Sequence, residues 1–393
     1  MRVAYVTVYD ARDITQMSGS EHFVLRALQG ASLDIELIGP LPYRWPNYHE
    51  WKRLLYERGL HQKYRKERVQ SVVRHYGSYA SSALRHLDID VVFSPSPMAI
   101  AYVDCPQPIV FYHDATFEGL RDYYSNYTSM CWESRRYGHA IDQAALTRST
   151  LAVYTSQWAA QTALDHYSVG PDKVRVVPRG ANIEHPPTTE QVSALIEARQ
   201  FQECRLLFVG RSWKRKGGAF ALQVLAGLLD RGLAARLTIV GCRPEIPPEL
   251  APHVSVLGLM AKSDPRQEAD LERAYGSSHF MVLPTTAECF GLAAAEASAY
   301  GLPVLAMRTG GVPEAVRDDA NGRLFSLAAR PAEYCDYVVG TYSDRERYRG
   351  LAKSAREEFE TRLNWRTNGA ALAGLIEEAA GGTARSAGRP SSS

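Results

Sequence analysis

Positive charge is concentrated directly after one predicted strand. The apolar run LLFV is followed by Gly210, and the cations that come next are Arg211, Lys214, Arg215 and Lys216. Helix N-termini favour acidic residues because the macrodipole is positive there, yet no acidic residue accompanies these cations. A solvated, charged loop is the plain interpretation. The sharper one is that an anion, most simply a diphosphate, binds among the cations and the free backbone amides.

Two glutamates follow the apolar run 280–283. Glu288 lies in the loop after this predicted strand, and Glu296 comes after seven intervening residues, in a predicted helix that consists mostly of alanine. A carboxylate in such a closely packed helix needs hydrogen-bond partners, because burial without them costs stability. Taken alone, Glu296 is a surface helix position. Together with Glu288 it indicates a binding role for both carboxylates.

A histidine ends another predicted strand. His113 follows the run 109–112, and Asp114 and Thr116 come after it in a polar turn. A core histidine at a strand end is the plain interpretation, and the polar turn favours a functional one. Asp88-Ile89-Asp90 has the letters of an Asp-x-Asp metal motif but precedes its strand, where a metal site would follow one. We therefore predict strand entry at this position and no metal site.

The elements that must position these residues are short apolar runs, which alternate with longer amphipathic segments. The runs predicted as strands are 3–8, 35–38, 91–93, 109–112, 151–154, 174–177, 206–209, 237–240, 254–257, 280–283 and 303–306. Short runs rich in valine and isoleucine are typical of parallel strands buried on both faces. The sequence therefore predicts an α/β fold, in which two Rossmann-like doubly wound domains face a central cleft that binds ligands.

Length, charge and cysteine content exclude several classes of protein. The chain of 393 residues is too long for one ordinary domain, and its net charge of +2 does not indicate a nucleic-acid partner. The six cysteines show no C-x-x-C spacing and are expected to be reduced. The first apolar run is too short for a signal peptide, and no run reaches the length of a membrane span. We expect a cytoplasmic protein, with association at the inner face of the membrane as an alternative.

The segment 43–76 is basic and aromatic. It contains nine Lys or Arg against three Glu, with tyrosines and tryptophans interspersed. A solvated helix face is the default interpretation. The alternative is a surface that binds anionic lipid or a phosphorylated, lipid-linked acceptor.

The spacing of the two glutamates resembles the Glu–seven residues–Glu motif of the retaining glycosyltransferases of family 4, which have the GT-B fold. The resemblance covers roughly 2–379, and each motif is weak alone, whereas the set in this order is specific. The other matching segments are Ser18-Gly19-Ser20-Glu21, His113-Asp114, Thr155-Ser156-Gln157-Trp158, Pro178-Arg179-Gly180-Ala181-Asn182, Gly210-Arg211 with Lys216-Gly217, and Thr309-Gly310-Gly311-Val312-Pro313-Glu314.

The resemblance implies a role for each donor-binding residue. Arg211 and Lys216, after Gly210, would neutralise the leaving nucleoside diphosphate, and Glu296 would hold the ribose hydroxyls. Glu288 would contact the donor sugar. The backbone N–H groups that would help it belong to Phe290, Gly291 and Leu292.

Two further roles fall in the N-terminal half. His113 would lie against the sugar on the acceptor side, and Gly19 would let the backbone approach the phosphate. Two positions depart from the family pattern: Ser18 replaces a glycine and Arg179 replaces an asparagine. Both departures put nucleotide contacts in doubt.

The implied reaction moves a sugar from a UDP-, GDP- or ADP-linked donor to a hydroxyl of a glycan or lipid-linked acceptor, with retention and without a metal or other cofactor. The implied domains are an acceptor domain at 1–185, a donor domain at 186–365, a helix at 366–379 that returns to the first domain, and a disordered tail at 380–393.

Two alternatives remain open. A nucleotide-sugar epimerase of the same fold needs no second sugar, so product analysis without acceptor separates it from a transferase. A non-catalytic nucleotide-sugar-binding partner subunit would show no turnover, and substitution of Lys216 and Glu288 would then change no glycan. A dinucleotide oxidoreductase is disfavoured because no G-x-G-x-x-G follows a strand.

Overall fold

The computed structural model describes residues 1–42, 47–262 and 264–387. The chain divides into two compact units, the first containing residues 1–177 and the chain from Asn368 onward, the second residues 178–367. Each unit is built on one six-stranded sheet whose strands are all parallel. The predicted α/β class with two doubly wound halves is confirmed.

The first unit carries six strands and seven of the helices. Its strands are β1 (Arg2–Val6), β2 (Asp34–Ile38), β3 (Val91–Ser94), β4 (Ile109–His113), β5 (Leu151–Tyr154) and β6 (Val174–Val176). Its helices are α1 (Ser20–Gly30), α2 (Asn47–Leu54), α3 (Gln70–Leu84), α4 (Pro97–Ile100), α5 (Phe117–Leu120), α6 (Trp132–Arg148) and α7 (Gln157–His166). The sheet order is β2-β1-β3-β4-β5-β6, so the chain reverses direction across the sheet between β1 and β3.

The second unit repeats this plan. Its strands are β7 (Cys204–Val209), β8 (Ala235–Val240), β9 (Val254–Gly258), β10 (Phe280–Leu283), β11 (Val304–Met307) and β12 (Gly322–Phe325), in the order β12-β11-β10-β7-β8-β9. Its helices are α8 (Thr189–Ala198), α9 (Gly218–Asp230), α10 (Pro265–Ser277), α11 (Leu292–Ala299), α12 (Val312–Ala315), α13 (Pro331–Tyr342) and α14 (Arg345–Thr361). The reversal lies between β7 and β10, and loops at the carboxyl ends of such strands form ligand sites.

The last helix, α15 (Trp365–Ala387), passes from the second unit into the first. In the first unit, Gly369 lies so close to Ala27 of α1 that an added Cβ would come within 2.8 Å of the Ala27 Cβ. Arg175 at the end of the sheet pairs with Glu378 at 3.4 Å. The predicted boundaries at 185/186 and 365/366 stay predictions.

One strand of the structure is absent from the predicted set. The predicted strands do not include β12, because its residues GRLF begin with a glycine and an arginine and form no apolar run. The structure gives α15 the bounds Trp365–Ala387, and the disordered tail at 380–393 stays a prediction. Residues 388–393 of that predicted tail lie outside the described residues.

His279 makes stability of the second unit depend on pH. Its side chain is 1% exposed, and its Nδ1 accepts a hydrogen bond from the Arg205 backbone N–H at 3.0 Å. Burial lowers the pKa of His279 to about 3. In the unfolded chain this histidine has a pKa of about 6.5 and binds a proton below that pH, whereas in the folded protein it stays neutral. The free energy of unfolding therefore falls by about 1.4 kcal/mol per pH unit below pH 6.5.

We expect the free energy of unfolding of the His279→Asn variant to fall less steeply between pH 6 and pH 4 than that of the wild type. The asparagine oxygen can still accept the Arg205 N–H but cannot be protonated in this range. Urea unfolding at several pH values measures the slope. His166→Asn is the control, because His166 is exposed at the end of α7, and an unchanged slope in His279→Asn contradicts the assignment.

Candidate active site

The basic loop connects β7 to α9 and buries one of its cations. Lys216 is 9% exposed, whereas Arg211 and Lys214 are exposed. Gly210 makes room for the lysine, since a Cβ at that position would lie 2.8 Å from the Lys216 Cγ. Gly217 has a φ of +76°, and its Cβ would lie 2.1 Å from the Pro284 carbonyl oxygen. Only glycine therefore lets this loop approach the end of β10.

Two cationic side chains of that loop bind the Glu288 carboxylate. The Lys216 ammonium contacts Oε2 of Glu288, and the Arg215 Nη1 donates to the same oxygen at 3.2 Å. Arg215 also donates to the Ala287 carbonyl at 2.7 Å. Because β7 and β10 are neighbouring parallel strands, their following loops meet at one edge of the sheet. The pairing shows that Lys216 and Arg215 are positioned to hold an anionic oxygen.

The predicted segment Thr309–Glu314 braces the Glu288 loop. The Gly311 N–H donates to the Glu288 carbonyl at 3.0 Å, and the Thr309 hydroxyl donates to the Thr286 carbonyl at 3.2 Å. The Thr286 N–H in turn donates to the Arg215 carbonyl at 3.1 Å. Three loops of the second unit thus fix the glutamate and its cations, which reduces the reorganisation needed when a ligand binds.

A helix begins four residues after Glu288. Gly291 has a φ of +101° and precedes the first residue of α11, Leu292. Phe290 is 2% exposed and anchors the turn in the core. The first amides of a helix have no partner within it, so the backbone at Phe290, Gly291 and Leu292 is suited to an anion or a sugar hydroxyl.

Glu296 lies on α11 with partners of its own. Its side-chain oxygens accept from the Lys262 ammonium at 2.5 Å and from the Tyr275 hydroxyl at 2.9 Å. Lys262 also donates to the Asn182 carbonyl at 2.5 Å. Burial, followed by the Glu296 charge, raises the pKa of Tyr275 well above its usual range, so the tyrosine stays a neutral donor. The glutamate is 7% exposed and is a satisfied carboxylate rather than a surface residue.

Lys262 and Tyr275 are not among the residues predicted from the sequence, and Arg215 is predicted only as one cation of its basic run. Lys262 follows β9 and Tyr275 lies on α10, so both are distant from Glu296 along the chain. No local pattern joins them to it. Both residues lie near the carboxyl edge of the sheet, one in a loop and one on a helix that covers it. Their positions could indicate a site only once the strand order is known.

In the first unit, His113 ends β4 and is mostly buried. Its Nδ1 lies 3.0 Å from the Pro95 carbonyl oxygen, and Nε2 lies 3.9 Å from Oδ1 of Asp114. A carbonyl can only accept, so Nδ1 carries the proton and Nε2 is an acceptor. Burial lowers the pKa of His113 below its usual value of 6.5. The imidazole is therefore neutral at pH 7.

Gly19 precedes α1 in a turn of unusual backbone conformation. Its φ is +77°, and the two residues before it, Met17 and Ser18, have φ values of +46° and +57°. Non-glycine residues rarely adopt this region, and such strain is concentrated at functional sites. The predicted glycine-rich turn therefore exists as a left-handed turn at a helix start, with Ser18 inside it.

The structure brings some predicted residues into contact and not others. Lys216 contacts Glu288, while Glu296 contacts a separate set of partners and Arg211 is exposed. His113 and Gly19 belong to the other unit. Within the described ranges, no group of three or more His, Cys, Asp or Glu side chains is placed to hold a metal ion. Asp90 accepts the Arg2 backbone N–H at 2.7 Å, which fits a strand entry.

Comparison with known protein families shows which family this chain belongs to. The family described as Glycosyl transferases group 1 matches residues 203–344, and the family described as Glycosyltransferase Family 4 matches residues 24–185. The chain is a member of the group 1, family 4 glycosyltransferases. The resemblance drawn from the motifs is thereby confirmed. The match to 203–344 lies within the second unit, and the match to 24–185 covers most of the first unit and ends eight residues beyond Val177.

Curated relatives of this glycosyltransferase family member are about a quarter to a third identical to it over the aligned residues. A protein named D-inositol 3-phosphate glycosyltransferase from Corynebacterium glutamicum is 28% identical over 63% of this chain and 61% of its own. One of the same name from Streptomyces scabiei is 31% identical over 53% of this chain and 49% of its own. The matched region spans about half to three-fifths of these relatives.

Solved structures show the GT-B fold for this family member. Sucrose-phosphate synthase from Thermosynechococcus elongatus superposes with a TM-score of 0.67 at 16% identity, covering 96% of this chain and 98% of that one. HepE from Anabaena, solved in complex with UDP, gives a TM-score of 0.65 at 14% identity, covering 96% and 100%. Among the described residues, no helix is both long and apolar enough to cross a bilayer.

Proposed function

We propose that the protein is a retaining glycosyltransferase, which moves a sugar from a nucleoside diphosphate donor to a hydroxyl of a glycan or lipid-linked acceptor without a metal ion. The observation that supports this best is the convergence of Lys216 and Arg215 on one oxygen of Glu288. These cations lie at the carboxyl edge of the sheet and bind a carboxylate of the protein itself. A donor diphosphate would present the same kind of oxygen.

The proposed chemistry follows from the charges that develop during the reaction. Breaking the bond between sugar and phosphate builds negative charge on the diphosphate and positive charge on the sugar ring. Lys216 and Arg211 would stabilise the diphosphate, with the start of α11 donating further hydrogen bonds. Glu288, released from the cations by the diphosphate, would face the sugar, and Glu296 would bind the ribose hydroxyls. The positive charge that a metal would supply comes from these side chains.

Retention is proposed through attack on the same face that the diphosphate leaves, with a leaving phosphate oxygen accepting the proton of the acceptor hydroxyl. In this route the acceptor hydroxyl attacks directly, so Glu288 binds the donor sugar and is not a covalent nucleophile. For the first unit we propose that neutral His113 accepts a hydrogen bond from a sugar hydroxyl through Nε2, and that the Gly19 turn contacts the donor phosphate.

The donor class is tested by thermal unfolding with UDP, GDP and ADP, each measured with Mg²⁺ and with EDTA. We expect one nucleotide to raise the melting temperature, since a ligand at 100 times its dissociation constant adds about 2.7 kcal/mol. UDP is the first choice because a structural relative was solved with it. The shift should be the same in EDTA. A shift that requires Mg²⁺ contradicts the proposed metal independence, and no shift with any nucleotide contradicts the donor site.

The reaction itself is tested by incubating the stabilising nucleotide's sugar conjugates with and without acceptor and analysing the products. Glycans, lipid-linked sugars and, because of the names of the curated relatives, a polyol phosphate are the acceptors to screen. A new sugar conjugate with the donor's anomeric configuration supports retaining transfer. Conversion of the donor sugar without acceptor would instead support an epimerase, and nucleotide binding without any product would support a non-catalytic partner subunit.

A further inference from the structure

Large hydrophobic side chains protrude along one face of α2 and its continuation through Leu55–Gly59. Tyr48 is 53% exposed, Trp51 is 73% exposed and Leu55 is 63% exposed. Their spacing of three and four residues places them on one helix face. Apolar side chains of this size are rarely left so exposed in a row unless they bind something.

A fourth exposed residue lies on the neighbouring helix. Trp132, 61% exposed, is the first residue of α6. Glu133 beside it accepts from the Lys52 ammonium at 2.5 Å and from the Tyr56 hydroxyl at 3.1 Å. These contacts fix α2 against the start of α6, so that each partner of the ion pair is preceded by an exposed tryptophan. We call Tyr48, Trp51, Leu55 and Trp132 the aromatic patch.

The positive charge near the aromatic patch differs from what the composition of 43–76 suggests. Most of the basic side chains of this segment form ion pairs with carboxylates of the same unit. These pairs are Lys52–Glu133, Arg53–Glu50 and Arg53–Glu57, Arg65–Glu67, Lys66–Glu50, and Arg68–Asp142. They hold the segment together and offer little charge to a partner. Tyr43 and Trp45, which the sequence analysis counted in this segment, lie outside the described residues.

Other arginines supply the charge at the rim of the aromatic patch. Arg135 and Arg136 follow Trp132 by three and four residues on α6, so both lie near the patch on the same helix face. Arg58 lies three residues after Leu55 in the π-helical turn Leu55–Gly59. All three are exposed. In the described part of the chain, no carboxylate lies within ion-pair distance of them. The patch is thus apolar at its centre and basic at its edge.

We propose that the aromatic patch binds the surface of a bilayer that contains anionic phospholipid. Tryptophan and tyrosine favour the interface between headgroups and acyl chains, leucine enters the acyl boundary, and arginines pair with lipid phosphates. A bilayer is the occupant that fits, because side chains exposed by 61% and 73% protrude, and a fluid surface accepts them without a complementary pocket. This contact is a property of the first unit and does not depend on the transfer reaction.

Vesicle co-sedimentation of the full chain tests the proposal. Vesicles of phosphatidylcholine are compared with vesicles of phosphatidylcholine and phosphatidylglycerol, without nucleotide. We expect binding to the mixed vesicles, reduced by salt. The Trp51→Ser/Trp132→Ser variant should bind on the order of tenfold more weakly. Each of Arg135→Gln and Arg136→Gln should cost about fivefold, with little loss on neutral vesicles.

Tyr79→Ser is the matched control, because Tyr79 is 47% exposed on α3 of the same unit but lies outside the patch. It should bind vesicles like the wild type. Unchanged melting temperatures verify that the exposed substitutions leave the fold intact. Absence of vesicle binding by the wild type, or equal loss in Tyr79→Ser, overturns the proposal. So does a self-associating wild type whose Trp51→Ser/Trp132→Ser variant is monomeric, since the patch then binds protein. Failure here leaves the nucleotide shift unaffected, which separates it from failure of the proposed function.

Discussion

Replacing Lys216 by alanine is expected to lower kcat for sugar transfer by about 10²–10³-fold, the loss typical of removing one fixed donor from developing negative charge. Lys216 is the most buried cation of its loop, and its ammonium is already in contact with the Glu288 carboxylate. A buried, preorganised charge stabilises a leaving diphosphate more than a solvated one does, because little reorganisation accompanies the reaction. Steady-state kinetics with the identified donor measure the effect.

Lys214→Ala is the matched control for this variant. Lys214 lies in the same loop but is exposed, so its loss should change kcat by no more than about twofold, as expected for a screened surface charge. Lys216→Arg should recover part of the rate because it keeps the charge with a different geometry. Equal effects of Lys214→Ala and Lys216→Ala would falsify the assignment of Lys216 to the leaving group.

The effect on nucleotide affinity separates two roles of Lys216. If the lysine acts mainly on the transition state, kcat falls while the dissociation constant of the nucleoside diphosphate changes less. Melting temperatures without ligand account for the lost contact with Glu288, which Arg215 still holds at 3.2 Å. A variant that loses only nucleotide affinity, with kcat preserved at saturation, contradicts a transition-state role.

Most strands could be predicted from the sequence, because a strand buried on both faces consists of apolar residues along its whole length. Runs such as 280–283 and 151–154 coincide with β10 and β5, since a parallel strand covered by helices must be apolar throughout. β12 is not an apolar run, because it begins with Gly322 and Arg323. Local composition is thus sufficient where valine, leucine and isoleucine dominate a strand, as they also do in the edge strands β2, β6 and β9, and insufficient where glycine and a charged residue take half of it.

The candidate site was predictable where loops follow central strands directly. Lys216 and Glu288 lie after β7 and β10, and strands that pair in parallel bring their carboxyl ends together. Lys262 could not be found in this way, because its contact with Glu296 joins the loop after β9 to the face of α11. A contact of this kind depends on the packing of a helix against the sheet, which no spacing along the chain encodes.

Arg68 shows that the burial of a charged residue cannot be predicted from local composition either. Composition groups it with a basic, solvated segment, yet its side chain is 3% exposed and its Nη1 donates to Oδ1 of Asp142 at 3.0 Å. The other carboxylate oxygen of Asp142 accepts the Phe117 N–H at 2.6 Å. The pair therefore joins the segment before α3 to α6 and to the start of α5. A basic residue in a charged run can be a core residue when one carboxylate is buried opposite it.

Replacing Arg68 by methionine is expected to reduce the free energy of unfolding by about 3–5 kcal/mol, because the change leaves the Asp142 charge buried without its partner. The aliphatic part of the side chain is kept, so the loss comes from charge rather than from a cavity. Chemical denaturation monitored by circular dichroism measures it. Arg74→Met is the control, since Arg74 is exposed and stacks on Tyr102 at 4.8 Å, an interaction of about 0.5–1 kcal/mol.

The Arg68→Met/Asp142→Asn variant distinguishes a stranded charge from a general loss of packing. Asparagine can still accept the Phe117 N–H through its carbonyl oxygen but carries no charge, so the double variant should be more stable than Arg68→Met alone. The coupling between the two changes should reach about 1–3 kcal/mol, as for residues in direct contact. Additive losses would instead mean that the two side chains stabilise the unit independently and that their ion pair contributes little.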